Sequence, residues 1–242
     1  MILTEESIRN GVVFLVDKPL EWTSFQVVNK IRWLLRKNFG LKKIKVGHAG
    51  TLDPLATGLL VICCGKKTKE ISTYQGQEKS YTGTFLLGAT TPSYDLETPI
   101  DQEYPIQHIH PDNVAEVAAQ FEGEILQTPP VYSALKKDGK RLYDYARAGE
   151  EVSVPQRKVI IHHLTIASDS FPQIDFEVKC SKGTYIRSLA QDIGRALKSG
   201  AHLTSLRRIQ IGDFHVREAF SMEDLEKIIT DAAPEKDQNR PK

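Results

Sequence analysis

A chain of 242 residues, 40% of them hydrophobic, is long enough to bury a substantial core as one large domain or two small ones. No run of 18 apolar residues occurs, and the N-terminal MILTEESIRNGVVFLVDKP lacks the basic start, apolar stretch and small-residue cleavage site of a secretory signal, so the chain reads as soluble and cytoplasmic, with no membrane partner. The net charge of +1 hides a pattern: Lys and Arg outnumber Asp and Glu in residues 1–75 and 126–218, while residues 76–125 are strongly acidic. One face is thereby permitted to meet a polyanion, although any single lysine cluster equally suits a solvated surface.

The β-branched run VVFLVDKP predicts a strand stopped by Lys18-Pro19. In TSFQVVNKIRWLLRKNFG, Thr23 or Ser24 can cap a helix whose apolar face is Phe25, Val28, Ile31, Leu34 and Leu35, with Gly40 as the stop. A basic LKKIKV leads to GHAGTLDPLATGLL, and LLVICCG then reads as a buried strand, which places Asp53 on a loop between ordered elements. Cys63 and Cys64 in that run have neither metal-ligand nor disulfide spacing and read as buried reduced thiols.

Further on, KSYTGTFLLGATT is strand-like, and residues 92–111 form a long, mobile loop rich in proline and acid. NVAEVAAQFEG predicts a short helix, TPPVYSALK extended chain, and RLYDYARAGE a helix carrying Tyr143 and Tyr145. KVIIHHLTIASDS and QIDFEVKCS alternate as paired antiparallel strands do. TYIRSLAQDIGRALKSG has helical spacing through Ile186, Leu189, Ile193 and Leu197 with Gly200 as its stop, and HLTSLRRIQIGDF returns to strand. Ser221 with Asp224 opens a last helix, MEDLEKII, and a disordered tail follows Asp231. The class expected is α+β: a mixed, mainly antiparallel sheet core with flanking helices, without internal repeat or a linker that forces a second domain.

Pro54 biases Asp53 towards extended geometry, while Gly47, Gly50 and Gly58 allow close backbone approach. From this stretch alone, an Asx-type turn and a rigidly held catalytic carboxylate both fit. His48 stands five residues before Asp53, but the other histidines, His108, His110, His162, His163, His202 and His215, are scattered and make no metal-ligand pattern. A phosphate loop fails on spacing, with six residues between Gly58 and Gly65 where four are needed, and no G-x-S-x-G elbow marks a hydrolase. Arg187, in the first turn of its helix, could fork onto a carboxylate or a phosphate. Tyr81, close to Lys79, suits stacking on a base, and Arg207 and Arg208 suit a phosphate contact beside an apolar wall. Each also fits ordinary strand or surface chemistry.

Together GHAGTLDPLATGLL, KSYTGTFLLGATT, SKGTYIRSLAQDIG and HLTSLRRIQIGDF, in this order and spacing and preceded by VFLVDKPLEWTSFQVVNKIR, resemble the TruB family of tRNA pseudouridine synthases over residues 10–220. The resemblance implies the pseudouridine synthase fold in residues 1–220, with residues 221–242 adding a short helix and tail but no PUA-type module, unlike many members and unlike the guide-RNA branch. It implies isomerisation of uridine 55 in the tRNA T loop by a monomer that flips the target base and needs no cofactor or metal. Asp53 would be the essential carboxylate, acting as nucleophile or as base. Arg187 would be its ion-pair partner and Tyr81 the group that packs on the base and moves the C5 proton. Tyr185 and Leu206 would line the pocket, His48 would hold the RNA loop, and basic side chains including Lys69 and Arg208 would grip the T loop and stem. Two alternatives are an RNA-binding protein that keeps the fold without turnover, and a metal-dependent hydrolase using His48 with Asp53.

Overall fold

The VVFLV run forms strand Val12–Lys18, antiparallel to Ala56–Cys64 with Val12 opposite Cys64 and Lys18 opposite Gly58. In the computed structural model, which describes residues 3–150 and 152–234, the chain divides into two compact units, Met1–Gln77 with Arg208–Lys242, and Glu78–Arg207. The crossings fall between Gln77 and Glu78 and, inside strand Ala201–Ile211, between Arg207 and Arg208. The first crossing coincides with the change from the basic residues 1–75 to the acidic residues 76–125, but neither crossing carries a Gly-, Pro- or Ser-rich stretch that would read as a linker.

In the first unit the apolar run Leu59–Cys64 is fully buried because both of its faces are covered. Leu60, Ile62 and Cys64 pack with helix Ser24–Phe39 and helix Met222–Asp231, while Leu59, Val61 and Cys63 pack with Ala49 and Ile211. Val46–His48 pairs antiparallel with the same strand. Helix Ser24–Phe39 opens on a capping box: the Thr23 hydroxyl accepts from the backbone N–H of Gln26, whose side chain accepts from the N–H of Thr23. Gly40 ends it in the left-handed conformation, φ 68°. Its inward stripe is Ser24, Val27, Val28, Ile31, Leu34 and Leu35; Phe25, expected inside, is 63% exposed because its helical phase falls outside that stripe. Burial pushes the thiols of Cys63 and Cys64 up to about 11 and about 12, so both are inert at neutral pH. An unforeseen helix, Glu5–Asn10, is capped by Thr4. The last helix is capped as expected, Ser221 Oγ accepting from the Asp224 N–H at 3.0 Å. The expected disordered tail lies, from residue 235 on, outside the described residues.

In the second unit four antiparallel strands lie in the order Lys79–Leu87, Gln173–Cys180, Arg157–Ala167, Gly123–Gln127. Phe85, Leu164 and Phe176 converge with Ile186, Leu189 and Ile193 of helix Ile186–Ala196. That helix stops at Ala196, where Lys198 takes the positive φ of 54°, and not at Gly200. Gly200 is required for packing: a Cβ there would meet the Tyr104 ring at 2.6 Å. The proline-rich acidic segment does not stand free of the unit. Ser93 and Asp95 are buried, the Thr91 hydroxyl donates to the Asp95 carbonyl at 2.6 Å, and Ser93 Oγ bonds Thr98 Oγ1 at 2.8 Å, so its polar side chains satisfy its own backbone. Helix Leu142–Arg147 falls in its predicted segment, and helix Pro111–Ala119 overlaps the segment predicted from Asn113 but starts two residues earlier, with Pro111 in its first turn. No helix among the described residues is long and apolar enough to cross a membrane. The class is α+β with mainly antiparallel strands, as expected.

Candidate active site

The loop bearing Asp53 runs from Ala49 to Leu55 between strands Val46–His48 and Ala56–Cys64, and it is tied down along its length. The Leu52 N–H donates to Ser24 Oγ at 2.9 Å, and that hydroxyl donates back to the Leu52 carbonyl at 3.1 Å. The Glu21 N–H donates to the Pro54 carbonyl at 2.9 Å, and the Ala56 N–H to the Asp53 carbonyl at 3.1 Å. Backbone fixed at 52, 53 and 54 fixes the point from which the half-buried Asp53 side chain leaves the loop.

Two buried cations complete this region. Lys18 is fully buried and its Nζ donates to the carbonyls of Pro19 at 2.8 Å, Trp22, and Pro54 at 3.3 Å. Burial lowers its pKa to about 8, with the Asp53 carboxylate opposing the shift and the Arg208 charge adding to it. Lys18 therefore straddles the protonation boundary just above neutral pH, with Asp53 inside its field. No role was read for it in the sequence, yet a signal was there: Val12, Phe14, Val16 and Lys18 fall on one phase of the strand's alternation, the inward one.

Arg208 corrects the expected phosphate contact. It is 1% exposed, and its Nε donates to the Leu59 carbonyl at 2.8 Å and its Nη2 to the Gly50 carbonyl at 3.1 Å, so its fork is committed to the protein's own backbone. A strand arginine beside a second arginine reads as surface from sequence; its burial here is offset by the bonds to one carbonyl of the loop, Gly50, and one of strand Ala56–Cys64, Leu59. His48 is half-buried, and burial first, then the Arg208 charge, lower its pKa. Both effects disfavour the imidazolium form of His48. Lys69, on the 3₁₀ segment Gly65–Glu70, is exposed and free to meet solvent or an anion.

In the second unit Arg187 lies in the first turn of helix Ile186–Ala196 and is 3% exposed. Its Nη1 donates to the Ser93 carbonyl at 3.0 Å, its Nη2 to the Tyr132 carbonyl at 2.9 Å, and its Nε stands 3.6 Å from the Asp95 carboxylate. Asp95, in the acidic segment read as mobile, was missed; only its neighbours' hydroxyls and its own burial mark it, and these need three dimensions. Tyr185, the residue preceding that helix, is half-buried, with its N–H donating to Gln127 Oε1 at 2.8 Å. Tyr81 is 8% exposed on strand Lys79–Leu87, opposite Val178, and Leu206 is half-buried on strand Ala201–Ile211. Among the described residues no three His, Cys, Asp or Glu side chains gather where they could hold a metal ion.

Residues 36–186 match the family model of the TruB family pseudouridylate synthase N-terminal domain, and residues 187–240 match that of the tRNA pseudouridylate synthase B C-terminal domain. The chain is 59% identical over 221 residues to tRNA pseudouridine synthase B of Flavobacterium johnsoniae, covering 91% of this chain and 96% of the relative. It is 54% identical to the protein of that name from Phocaeicola vulgatus, covering 90% and 92%. Among solved structures, a chain of a Cbf5-Nop10-Gar1 complex superposes with a TM-score of 0.69 at 30% identity; the match covers 92% of this chain and 55% of that one. A family model that spans most of the chain, joined to such identities over nine-tenths of it, establishes that this chain belongs to the TruB family of pseudouridylate synthases.

Proposed function

We propose that this chain isomerises uridine 55 in the T loop of tRNA to pseudouridine, acting as a cytoplasmic monomer with Asp53 as its essential carboxylate. Isomerisation of uridine to pseudouridine in tRNA is what the family does. The observation that carries the assignment of Asp53 is its loop, pinned at residues 52, 53 and 54 and set within the field of the Lys18 ammonium.

The reaction breaks the N1–C1′ bond of uridine, turns the base and joins C5 to C1′, with a proton leaving C5 and one arriving at N1. Atoms and electrons balance without a co-reactant, so the chemistry asks for no cofactor. Asp53 serves as nucleophile or as the base that takes a sugar proton; either role needs the ionised form. A cation beside it favours that form, which is the part given to Arg187 by its resemblance to the family arginine and to Lys18 by its position. Tyr81 packs on the base and takes part in moving the C5 proton, Tyr185 and Leu206 wall the pocket, and His48 and Lys69 meet the RNA. Extruding the uridine costs a few kcal/mol, offset by stacking in the pocket.

The test is to incubate the protein with unmodified tRNA transcript and map pseudouridine by site. Conversion at position 55 that vanishes in Asp53→Asn while tRNA binding persists supports the proposal. Binding without conversion by the unaltered protein would make it an RNA-binding protein, and substantial turnover by Asp53→Asn would remove the carboxylate from its role.

A further inference from the structure

Tyr185 is held from a single rung of the second unit's sheet. Gln127 and Arg157 face each other across the antiparallel pair Gly123–Gln127 and Arg157–Ala167. Gln127 is fully buried, and its amide meets the Tyr185 backbone twice: Oε1 accepts from the N–H at 2.8 Å and Nε2 donates to the carbonyl at 3.1 Å. Arg157 meets the side chain, its guanidinium carbon 4.5 Å from the centroid of the Tyr185 ring. Gly183, at φ 83°, makes the turn that brings S-K-G-T-Y back to this rung.

Arg157 gives up much to lie there. Its Nε and Nη2 are buried and have no hydrogen-bond partner among the described residues. Unsatisfied buried donors are costly, and arginines ordinarily turn to find carbonyls or water. What this guanidinium has instead is the face of an aromatic ring, whose quadrupole attracts a cation. The same burial keeps those two nitrogens from a phosphate that approaches from solvent, so the contact with Tyr185 explains the geometry better than a grip on RNA.

We propose that Arg157 is a positioning residue for uridine isomerisation: with the Tyr185 backbone fixed by Gln127, the Arg157 guanidinium fixes the tilt of the Tyr185 ring against which the flipped uracil packs. This rests on the function proposed above. Lysine cannot replace arginine fully, because a point charge on a flexible stem does not present a plane to the ring.

A double-substitution cycle tests it, with Arg157→Ala made in the natural chain and in Tyr185→Leu, and Arg157→Lys as the conservative variant. In the natural chain, Arg157→Ala should slow single-turnover pseudouridine formation about tenfold while the tRNA dissociation constant stays within about twofold, and Arg157→Lys should recover part of the rate. In Tyr185→Leu, which has no ring to hold, Arg157→Ala should slow the reaction no further. The four proteins of the cycle, without Arg157→Lys, unfolded in urea without RNA should show the same coupling, Arg157→Ala lowering the midpoint only where Tyr185 is present. Equal effects of Arg157→Ala in both backgrounds overturn the proposal, and so does a loss confined to tRNA affinity, which would make Arg157 a phosphate contact. A natural chain that forms no pseudouridine would remove the functional reading, and with it the catalytic part of this proposal. The unfolding cycle would still decide whether Arg157 holds Tyr185.

Discussion

Arg208 Nη2 donates to the carbonyl of Gly50 at 3.1 Å, three residues before Asp53, while its Nε donates to the carbonyl of Leu59, six residues after it. One buried guanidinium thus clamps the two ends of the segment that carries the carboxylate. Replacing it by methionine removes both of these bonds, at about 1–3 kcal/mol each. Arg208→Met should therefore lower unfolding stability by about 2–6 kcal/mol in urea titrations, and slow single-turnover conversion because the loop loosens. Its tRNA affinity and the slope of that affinity with salt should remain near the natural values. A shallower salt slope would mean that Arg208 neutralises a phosphate, contrary to its buried geometry.

Lys18 should give the reaction an alkaline limit. Its pKa, lowered to about 8 by burial, is the point above which the Asp53 carboxylate loses a neighbouring cation. Single-turnover rate should fall as pH rises through about 8, and Lys18→Met should show a lower rate with no such limb. Stability moves the other way for this group. Unfolded lysine keeps its proton to about pH 10.4, so between pH 8 and 10 the unfolded chain binds more protons than the folded one, and deprotonation of Lys18 favours folding as pH rises. Loss of rate without loss of stability across that window separates the two effects; a rate that stays flat to pH 9.5 would sink the assignment.

Asp95 stands 3.6 Å from Arg187 Nε, with both side chains almost wholly buried. Its other oxygen accepts from the Glu97 N–H at 3.0 Å, so Asp95→Asn preserves shape and can keep that bond while removing the charge. The Arg187 guanidinium would then be held by the carbonyls of Ser93 and Tyr132 with a weaker constraint on its direction. Conversion should slow by about tenfold or more, the scale of a lost buried ion-pair contact, with tRNA affinity little changed. Quench-flow rates for Asp95→Asn beside the natural protein check this, and equal rates would show that the carbonyls alone suffice.

Local chemistry made much of this molecule legible in its sequence. The capping box at Thr23, the Gly40 stop, the Ser221 cap and the period-2 strands are short-range signals, and the structure has them where the residues put them. Lys18, Asp95, Gln127 and Arg157 were not read, for one shared reason: each is a polar residue whose partner lies on another element, and polar residues in strands and loops look like surface until burial is known. Arg208 was misread on the same ground. For Lys18 alone the strand's own alternation carried the correction, since its phase is that of Phe14 and Val16.

Gly58 marks the tightest point of the Asp53 segment. It has a φ of 100°, and a Cβ there would come within 2.2 Å of the Arg208 carbonyl oxygen, so both its conformation and its space exclude a side chain. No flexible atom can yield, because the obstacle is backbone of strand Ala201–Ile211. Gly58→Ala should therefore push the two backbones apart and disturb the Arg208 bond to Leu59, with a stability loss of about 2–4 kcal/mol. Gly40→Ala is the matched control: it also has a positive φ, 68°, but nothing stands within 4 Å of its Cβ, so it carries only the conformational cost of about 1 kcal/mol. Urea unfolding of the two variants, with single-turnover rates at a temperature where both stay folded, should find Gly58→Ala impaired in stability and rate and Gly40→Ala only slightly in stability. Equal losses would show that backbone conformation, and not contact with the Arg208 strand, is what demands glycine at position 58.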